Sequence, residues 1–98
     1  MTVIRHVVVR GRVQGVGFRA FVEDEARARG LAGWVRNRRD GSVEALFSGP
    51  SEKVDAVITA LRMGPPAARV DNVEINQAGE HDLRERQRGE VFSVLHTI

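Results

Sequence analysis

A glycine-rich stretch near the N-terminus carries the residues of this sequence that are best suited to bind an anion. Residues 11–19 read Gly-Arg-Val-Gln-Gly-Val-Gly-Phe-Arg, and they join an alternating apolar segment to one with helical spacing. Glycines at such a junction let backbone N–H groups converge, and the helix adds unpaired first-turn donors and the positive end of its dipole. Arg19 supplies a guanidinium at the same place. The pattern alone also fits a tight turn beside a solvated arginine, and both interpretations stay open at this point.

Two better-known phosphate loops do not account for this stretch. A Walker loop starting at Gly11 requires glycine at position 16 and lysine at position 17, where the chain has Val16 and Gly17. The dinucleotide pattern G-x-G-x-x-[GA] is satisfied by Gly15, Gly17 and Ala20. That site also requires a parallel βαβαβ half and an acidic ribose partner, whereas the helical segment here is followed by a hairpin pattern. We interpret the dinucleotide match as an accident of a glycine-rich turn.

A second segment with chemical potential lies at residues 33–43, which read Gly-Trp-Val-Arg-Asn-Arg-Arg-Asp-Gly-Ser-Val. Taken alone, Asn37 before an Asp-Gly turn is common for local backbone reasons. Together the two segments resemble the two signatures of the acylphosphatase family, G-x-V-Q-G-V-x-F-R and G-x-V-x-N-x-x-D-G-x-V, in the same order. The resemblance extends along essentially the whole chain, and it is weakest in the charged segment before residues 91–94.

The resemblance implies hydrolysis of acyl phosphates to a carboxylate and inorganic phosphate. It assigns phosphate binding to Gln14, Gly15, Val16, Gly17, Phe18 and Arg19. In that assignment the phosphoryl oxygens are held by the backbone N–H groups of residues 15–19 and by the guanidinium of Arg19. Asn37 orients the attacking water through its side-chain amide, which is too weak a base to remove a proton. Arg19 and Asn37 are therefore the two catalytic residues that the resemblance implies.

We expect the protein to need neither a cofactor nor a metal ion. An acyl phosphate already carries a good leaving group, so no covalent nucleophile or strong general acid is required. The three histidines are dispersed and there is no cysteine, so the sequence offers no evident set of metal ligands. The expected partners are a small acyl phosphate and inorganic phosphate, with no nucleic acid and no membrane.

Composition favours an ordinary globular domain. The chain has 98 residues, of which 42% are hydrophobic and 29% charged, and no apolar run has the length of a membrane span or a signal peptide. We expect one domain over residues 1–98, acting as a monomer in the cytoplasm, and similar to the stand-alone enzyme rather than to a module of larger carbamoyl-transfer proteins. The net charge is only +2, but fourteen of the fifteen cationic residues are arginine, a side chain suited to phosphate and carboxylate.

Hydrophobic periodicity predicts the elements that must position these residues. The prediction runs as a strand around residues 6–13, a helix over 18–29, a hairpin of strands 31–37 and 43–47, a helix over 51–62, a strand over 70–75, a charged loop over 79–89 and a strand over 91–95. Ser51 is the expected N-cap of the second helix, and Gly30 the left-handed end of the first. The order βαββαβ predicts an α+β ferredoxin-like split βαβ sandwich, with two helices on one face of a four- or five-stranded, mainly antiparallel sheet.

Two other functions fit parts of the pattern. An RNA-binding sheet module would use aromatic side chains on an open sheet face. The spacing of Phe18, Phe21, Trp34 and Phe47 instead favours core packing, and strand one offers no aromatic ring apart from His6. A regulatory domain that binds a small anion without turnover fits the glycine loop and Arg19. Among these residues only Asn37 argues specifically for catalysis over such a domain.

Overall fold

Eight elements make up the fold, and the computed structural model describes all residues from 1 to 98. They are β1 (Thr2–Arg12), α1 (Phe18–Ala28), β2 (Ala32–Asn37), β3 (Val43–Pro50), α2 (Ser51–Met63), β4 (Arg69–Gln77), α3 (Glu80–Leu83) and β5 (Phe92–Val94). The five strands form one sheet in the order β4-β1-β3-β2-β5, in which only the β2–β5 pair is parallel. The predicted α+β ferredoxin-like sandwich is confirmed, with α1 and α2 on one face of the sheet.

The main core lies between that face and the two helices. Alternate residues of β1, such as Val7 and Val9, point into it because successive side chains of a strand face opposite sides. The helices contribute side chains at the three- and four-residue spacing read from the sequence, with Phe18, Val22 and Ala26 on α1. On α2 the buried residues are Val54, Val57, Ile58 and Leu61. None of the helices is long and apolar enough to cross a membrane.

The opposite face of the sheet is covered as well, which the sequence analysis did not predict. Val8, Trp34 and Leu46 are buried outside the main core. Residues 79–89 were expected to form a charged loop with too few apolar groups to join a core. They contain the one-turn helix α3, which contacts β2 and β3, and Trp34 Nε1–H donates a 2.8 Å hydrogen bond to the carbonyl oxygen of Asp82. The segment therefore covers the face through polar contacts.

An ion-pair network joins the strands on this second face. Glu44 accepts hydrogen bonds from His6 Nε2–H (2.5 Å) and from Arg36 Nε–H (2.8 Å). Arg36 also donates to Glu85 at 2.9 Å, and its guanidinium lies 4.6 Å from the ring centroid of Trp34. The hydrogen bond from His6, followed by that from Arg36, lowers the pKa of Glu44 to about 2. Ionised Glu44 thus connects β1, β2 and, through Arg36, the segment that carries Glu85.

Several element ends differ from the sequence-based expectation. β1 begins at Thr2 rather than near residue 6, because its first residues pair with the end of β3. α2 begins at Ser51, so Pro50 and not Ser51 occupies the N-cap, and no side chain caps this helix. Gly30, two residues after the end of α1, has φ +67°, as predicted. β5 is reduced to Phe92–Val94, and its pairing partner, which the sequence left undefined, is β2.

We predict that Glu44 makes the free energy of unfolding decrease at acidic pH. Its pKa in the folded chain lies below the ordinary value of 4.5, so its ionised form stabilises the fold above about pH 4.5, and this contribution is lost as the pH falls towards 2. Glu44→Gln should lower the free energy of unfolding at pH 7 by about 1–3 kcal/mol. The penalty of the substitution should shrink at pH 3.

Urea unfolding at pH 7 and pH 3 measures this effect. Asp24→Asn, at an exposed carboxylate of α1 that forms no ion pair, is the matched control, and its effect should be small at both pH values. An unchanged penalty for Glu44→Gln at the two pH values would contradict the assignment.

Candidate active site

The loop between β1 and α1, together with the first turn of α1, forms a cradle of free backbone N–H donors at residues 15–20. No N–H group in the cradle donates a hydrogen bond within the chain, because the first bonded amide of the helix is that of Phe21, which donates to the carbonyl oxygen of Gly17. Gly15 and Gly17 have φ values of +73° and +77°, a left-handed conformation that glycine adopts without strain. Left-handed residues in such a loop turn successive N–H groups towards one side, which creates a concave anion site.

The start of α1 is left uncapped, unlike most helix starts. Gly17 occupies the N-cap position and has no side chain that could accept from the first-turn amides. The first turn also carries no acidic residue, whereas α2 has Glu52 in its first turn. The partial positive charge at the N-terminus of α1 is therefore not offset by the chain itself, and an anion there would satisfy both the donors and the dipole.

A pocket of about 200 Å³ opens at this cradle. It is lined by Val13, Gly15, Gly17, Phe18, Arg19, Ala20 and Asn37. Arg19, the second residue of α1, is half-buried, and its guanidinium makes no hydrogen bond or ion pair within the chain. The pocket thus combines unpaired N–H donors with one free guanidinium fork, a combination suited to a phosphate group.

Asn37 reaches the pocket from the end of β2. β1 and β2 are both antiparallel to β3, so they run in the same direction and end at the same edge of the sheet. Val43, the first residue of β3, pairs with Val9 on one side and with Asn37 on the other. This topology brings the cradle that follows β1 next to the last residue of β2, although the two lie about twenty positions apart in the sequence.

The side-chain oxygen Oδ1 of Asn37 is the one buried side-chain polar atom in the structure without a hydrogen-bond partner. Buried carbonyl oxygens are nearly always paired, so an unpaired one that borders a pocket calls for a donor from solvent or ligand. The main chain of Asn37 is well anchored, because its carbonyl oxygen accepts a 3.2 Å hydrogen bond from the N–H of Ile98. Asn37 is therefore a lining residue with an anchored main chain and an unpaired side-chain acceptor.

The turn after Asn37 is locked by its own side chains. Asp40 accepts hydrogen bonds from the hydroxyl (2.6 Å) and the N–H (2.9 Å) of Ser42 and lies 3.3 Å from Arg10 Nη1. The two bonds from Ser42, followed by the contact with Arg10, lower the pKa of Asp40 to about 2. The Asp-Gly turn seen in the sequence is therefore a rigid connection between the strand that carries Asn37 and β3.

The predicted site residues are gathered only in part around the pocket. Gly15, Gly17, Phe18, Arg19 and Asn37 line it, as does the backbone next to them. The side chain of Val16 packs against the main core, which leaves its N–H as the group available to the cradle. The side chain of Gln14 is directed to the β2–β3 turn instead, where it bonds two carbonyl oxygens.

Sequence reasoning missed the two apolar walls of the pocket, Val13 and Ala20. Val13 ends the alternating apolar series read from the sequence, and Ala20 matched only the dinucleotide pattern. Neither side chain has a polar group that would have indicated a place in the site. The sequence also gave no sign that Oδ1 of Asn37 would be buried and unpaired, because that depends on the sheet topology. No group of three or more His, Cys, Asp or Glu residues lies close enough to hold a metal ion.

Comparisons with known proteins bear on the family of the chain. The family model described as Acylphosphatase matches residues 5–90. An acylphosphatase of Bradyrhizobium diazoefficiens is 57% identical over 95 residues, which cover 97% of this chain and 96% of that protein. The chain belongs to the acylphosphatase family. As a member at this level of identity it is an enzyme with acylphosphatase activity, and the resemblance read from the two motifs is confirmed.

Solved structures show the same fold in this family. The crystal structure of the acylphosphatase from Bacillus subtilis has a TM-score of 0.81 and 38% sequence identity, covering 97% of this chain and 99% of that chain. HypF of T. kodakarensis matches with a TM-score of 0.77 and 32% identity, covering all of this chain but 12% of that chain. The acylphosphatase fold therefore also occurs as a small part of a much longer protein.

We predict that the cradle of this acylphosphatase depends on glycine at position 17. Replacing Gly17 by Ala should lower the free energy of unfolding by about 1–2 kcal/mol, because an added Cβ contacts nothing within 4 Å but is strained at φ +77°. Asn, which tolerates the left-handed region better, should cost less.

Urea unfolding tests this, with Gly79→Ala as the matched control. Gly79 has φ −117° and equally open surroundings, so its substitution should shift stability by less than about 0.5 kcal/mol. Equal stabilities for the Ala variants at positions 17 and 79 would show that the cradle conformation is not constrained as described.

Proposed function

We propose that the pocket hydrolyses acyl phosphates by direct attack of water on phosphorus. One observation carries the proposal: Asn37, whose Oδ1 is buried and unpaired, lines the same pocket as a run of unpaired backbone N–H groups. The N–H groups suit the oxygens of a phosphoryl group, and the amide oxygen suits a hydrogen of water. A substrate and its nucleophile thereby find complementary partners in one place.

In this proposal the phosphoryl group lies in the cradle with its oxygens towards the N–H groups of residues 15–19. Phosphoryl transfer spreads negative charge over three equatorial oxygens, and donors already aimed at them need no reorganisation as the charge develops. Arg19 adds a planar fork that binds two of these oxygens. Gln14 belongs to the loop by position, but its amide N–H groups are already used, so the contacts with phosphate come from residues 15–19.

Asn37 holds the water by accepting one of its hydrogens on Oδ1. The water oxygen forms a bond to phosphorus while the bond from phosphorus to the acyl oxygen breaks, and the bonding pair leaves with the carboxylate. The water proton passes to the phosphate product or to solvent, because an amide oxygen is too weak a base to keep it. The role of Asn37 is therefore positioning, which supplies several kcal/mol when the reacting atoms are held in line.

The proposal assigns the whole reaction to one domain and one copy of the chain. The cradle, Arg19 and Asn37 all come from residues 1–98, and the carboxylate leaving group requires neither a covalent nucleophile nor a metal ion. A small acyl phosphate and inorganic phosphate are the only partners that the pocket needs. The second face of the sheet, where an RNA-binding module would expose aromatic rings, has Trp34 buried beneath the segment that contains α3.

We predict that substitutions of Arg19 and Asn37 separate binding from water placement. Arg19→Ala removes a charged contact to phosphate in the ground state and the transition state, so kcat/KM should fall by at least about 10²-fold and inhibition by inorganic phosphate should weaken. Asn37→Ala should lower kcat by at least about 10²-fold while phosphate inhibits almost as well as before.

Phosphate release from a generic acyl phosphate, measured with EDTA present throughout, gives kcat and KM. The same assay with added inorganic phosphate gives its inhibition constant. Arg62→Ala on α2 and Asn72→Ala on β4, at exposed residues, are the matched controls and should keep full activity. If Asn37→Ala retains full activity, the mechanism is wrong, and the site binds water differently. If the wild-type chain binds inorganic phosphate but does not hydrolyse the acyl phosphate, an anion-binding regulatory domain becomes the better description. Loss of activity in EDTA, restored by a divalent ion, would contradict the metal-free mechanism.

A further inference from the structure

We propose that Gln14 is a positioning residue that sets the distance between the phosphate cradle and Asn37. This inference rests on the proposed function and deepens it, because it assigns a role to a residue that touches neither phosphate nor water. The family resemblance places Gln14 within the phosphate-binding loop, but the structure directs its side chain to the turn after β2.

Gln14 joins the loop that follows β1 to the turn that follows β2. Its Nε2 group donates one hydrogen bond to the carbonyl oxygen of Arg38 at 2.7 Å and one to that of Ser42 at 2.8 Å. These are the only hydrogen bonds between residues 13–17 and residues 37–42. Gln14 directly precedes the cradle, and Arg38 directly follows Asn37, so one side chain spans from the beginning of the anion site to the residue beside the water acceptor.

The carbonyl oxygens of Arg38 and Ser42 lie close enough together to accept from the same amide nitrogen. Arg38 and Ser42 face each other across the turn, where the N–H of Arg38 donates to the carbonyl oxygen of Ser42 at 2.9 Å. A primary amide carries two N–H groups on one nitrogen, and both are needed to reach both acceptors. Asn is one methylene shorter, and Glu and Met of similar length offer no donor. Gln therefore matches this position through both its length and its donors.

A direct role of Gln14 in phosphate binding conflicts with these contacts. Its two N–H groups are engaged, and the remaining amide oxygen is an acceptor, which cannot bind the negatively charged oxygens of a phosphate. The turn itself is held from elsewhere by Asp40 and by Ile98, whose carbonyl oxygen accepts from the N–H of Arg39 at 2.7 Å. Loss of Gln14 would thus leave each segment formed and disturb mainly their relative position.

Relative position is what the proposed chemistry requires. Phosphorus is held by the cradle and water by Asn37, so the distance and angle of attack depend on how these two segments are placed. A displacement of about 1 Å between reacting groups lowers rates by about 10²-fold. The affinity for phosphate depends on the cradle and Arg19 alone, and it should be insensitive to Gln14.

The test compares Gln14→Met and Gln14→Glu with the wild-type chain in kcat, KM and inhibition by inorganic phosphate. Both variants keep a side chain of similar length and remove both donors. We expect kcat to fall by about 10–100-fold in both variants, and the phosphate inhibition constant to change by less than about 3-fold in Gln14→Met, the variant that adds no charge. Gln77→Met, at an exposed residue of β4, is the matched control and should leave all constants unchanged. Circular dichroism and thermal unfolding establish that each variant is folded at the assay temperature.

Each outcome separates the possible roles of Gln14. A phosphate inhibition constant that rises in step with the loss of turnover in the uncharged variant Gln14→Met would show that Gln14 is a phosphate ligand and would overturn the inference. A lowered unfolding temperature with wild-type kcat in both folded variants would show a purely structural role and would overturn it too. Asn37→Ala is assayed in parallel: if it is fully active, the proposed function fails, whereas an inactive Asn37→Ala with fully active Gln14 variants refutes the positioning role alone.

Discussion

The central constraint on the site is a set of backbone N–H groups for which the chain provides no hydrogen-bond acceptor. The N–H groups of residues 15–20, in the first turn of α1 and the glycine loop before it, are unpaired. No capping side chain accepts from them, and the first turn carries no acidic residue. An unsatisfied helix start is costly when it is shielded from water, so it persists where a ligand supplies the acceptor. In the proposed mechanism this donor set binds the anionic substrate, and the fold provides it from main-chain atoms.

Sheet topology brings Asn37 to this cradle, which in the proposed mechanism adds the acceptor for water to the anion site. The parallel direction of β1 and β2, with the start of β3 between them, places Asn37 at the mouth of the cradle. The second face of the sheet supports this arrangement from behind, where Glu44 binds both His6 of β1 and Arg36, the neighbour of Asn37. The locked turn with Asp40 and the docked residue Ile98 hold the end of β2 from the other side. The proposed acceptor for water thus lies at the end of a strand that is held on both sides.

The sequence allowed the fold to be predicted, together with several of the residues that line the pocket, since both are encoded locally. Alternation in β1, helical spacing in α1 and α2, and left-handed glycines are short-range signals, and the two motifs identify Arg19 and Asn37. The covered second face was missed because the segment with α3 binds Trp34 through a main-chain carbonyl, which leaves no hydrophobic pattern. The partners of Gln14 were missed for a related reason: they are carbonyl oxygens, which every residue has, and only the three-dimensional register selects them.

A crystal structure of the chain with bound vanadate, a trigonal-bipyramidal analogue of the transferring phosphoryl group, tests the central claim most directly. The account predicts that the equatorial oxygens lie about 3 Å from the N–H nitrogens of residues 15–19 and from the guanidinium of Arg19. It also predicts an apical oxygen, or a water in line with it, at hydrogen-bond distance from Oδ1 of Asn37. Vanadate bound outside the cradle, or bound within it while Oδ1 of Asn37 contacts no oxygen, would contradict the account.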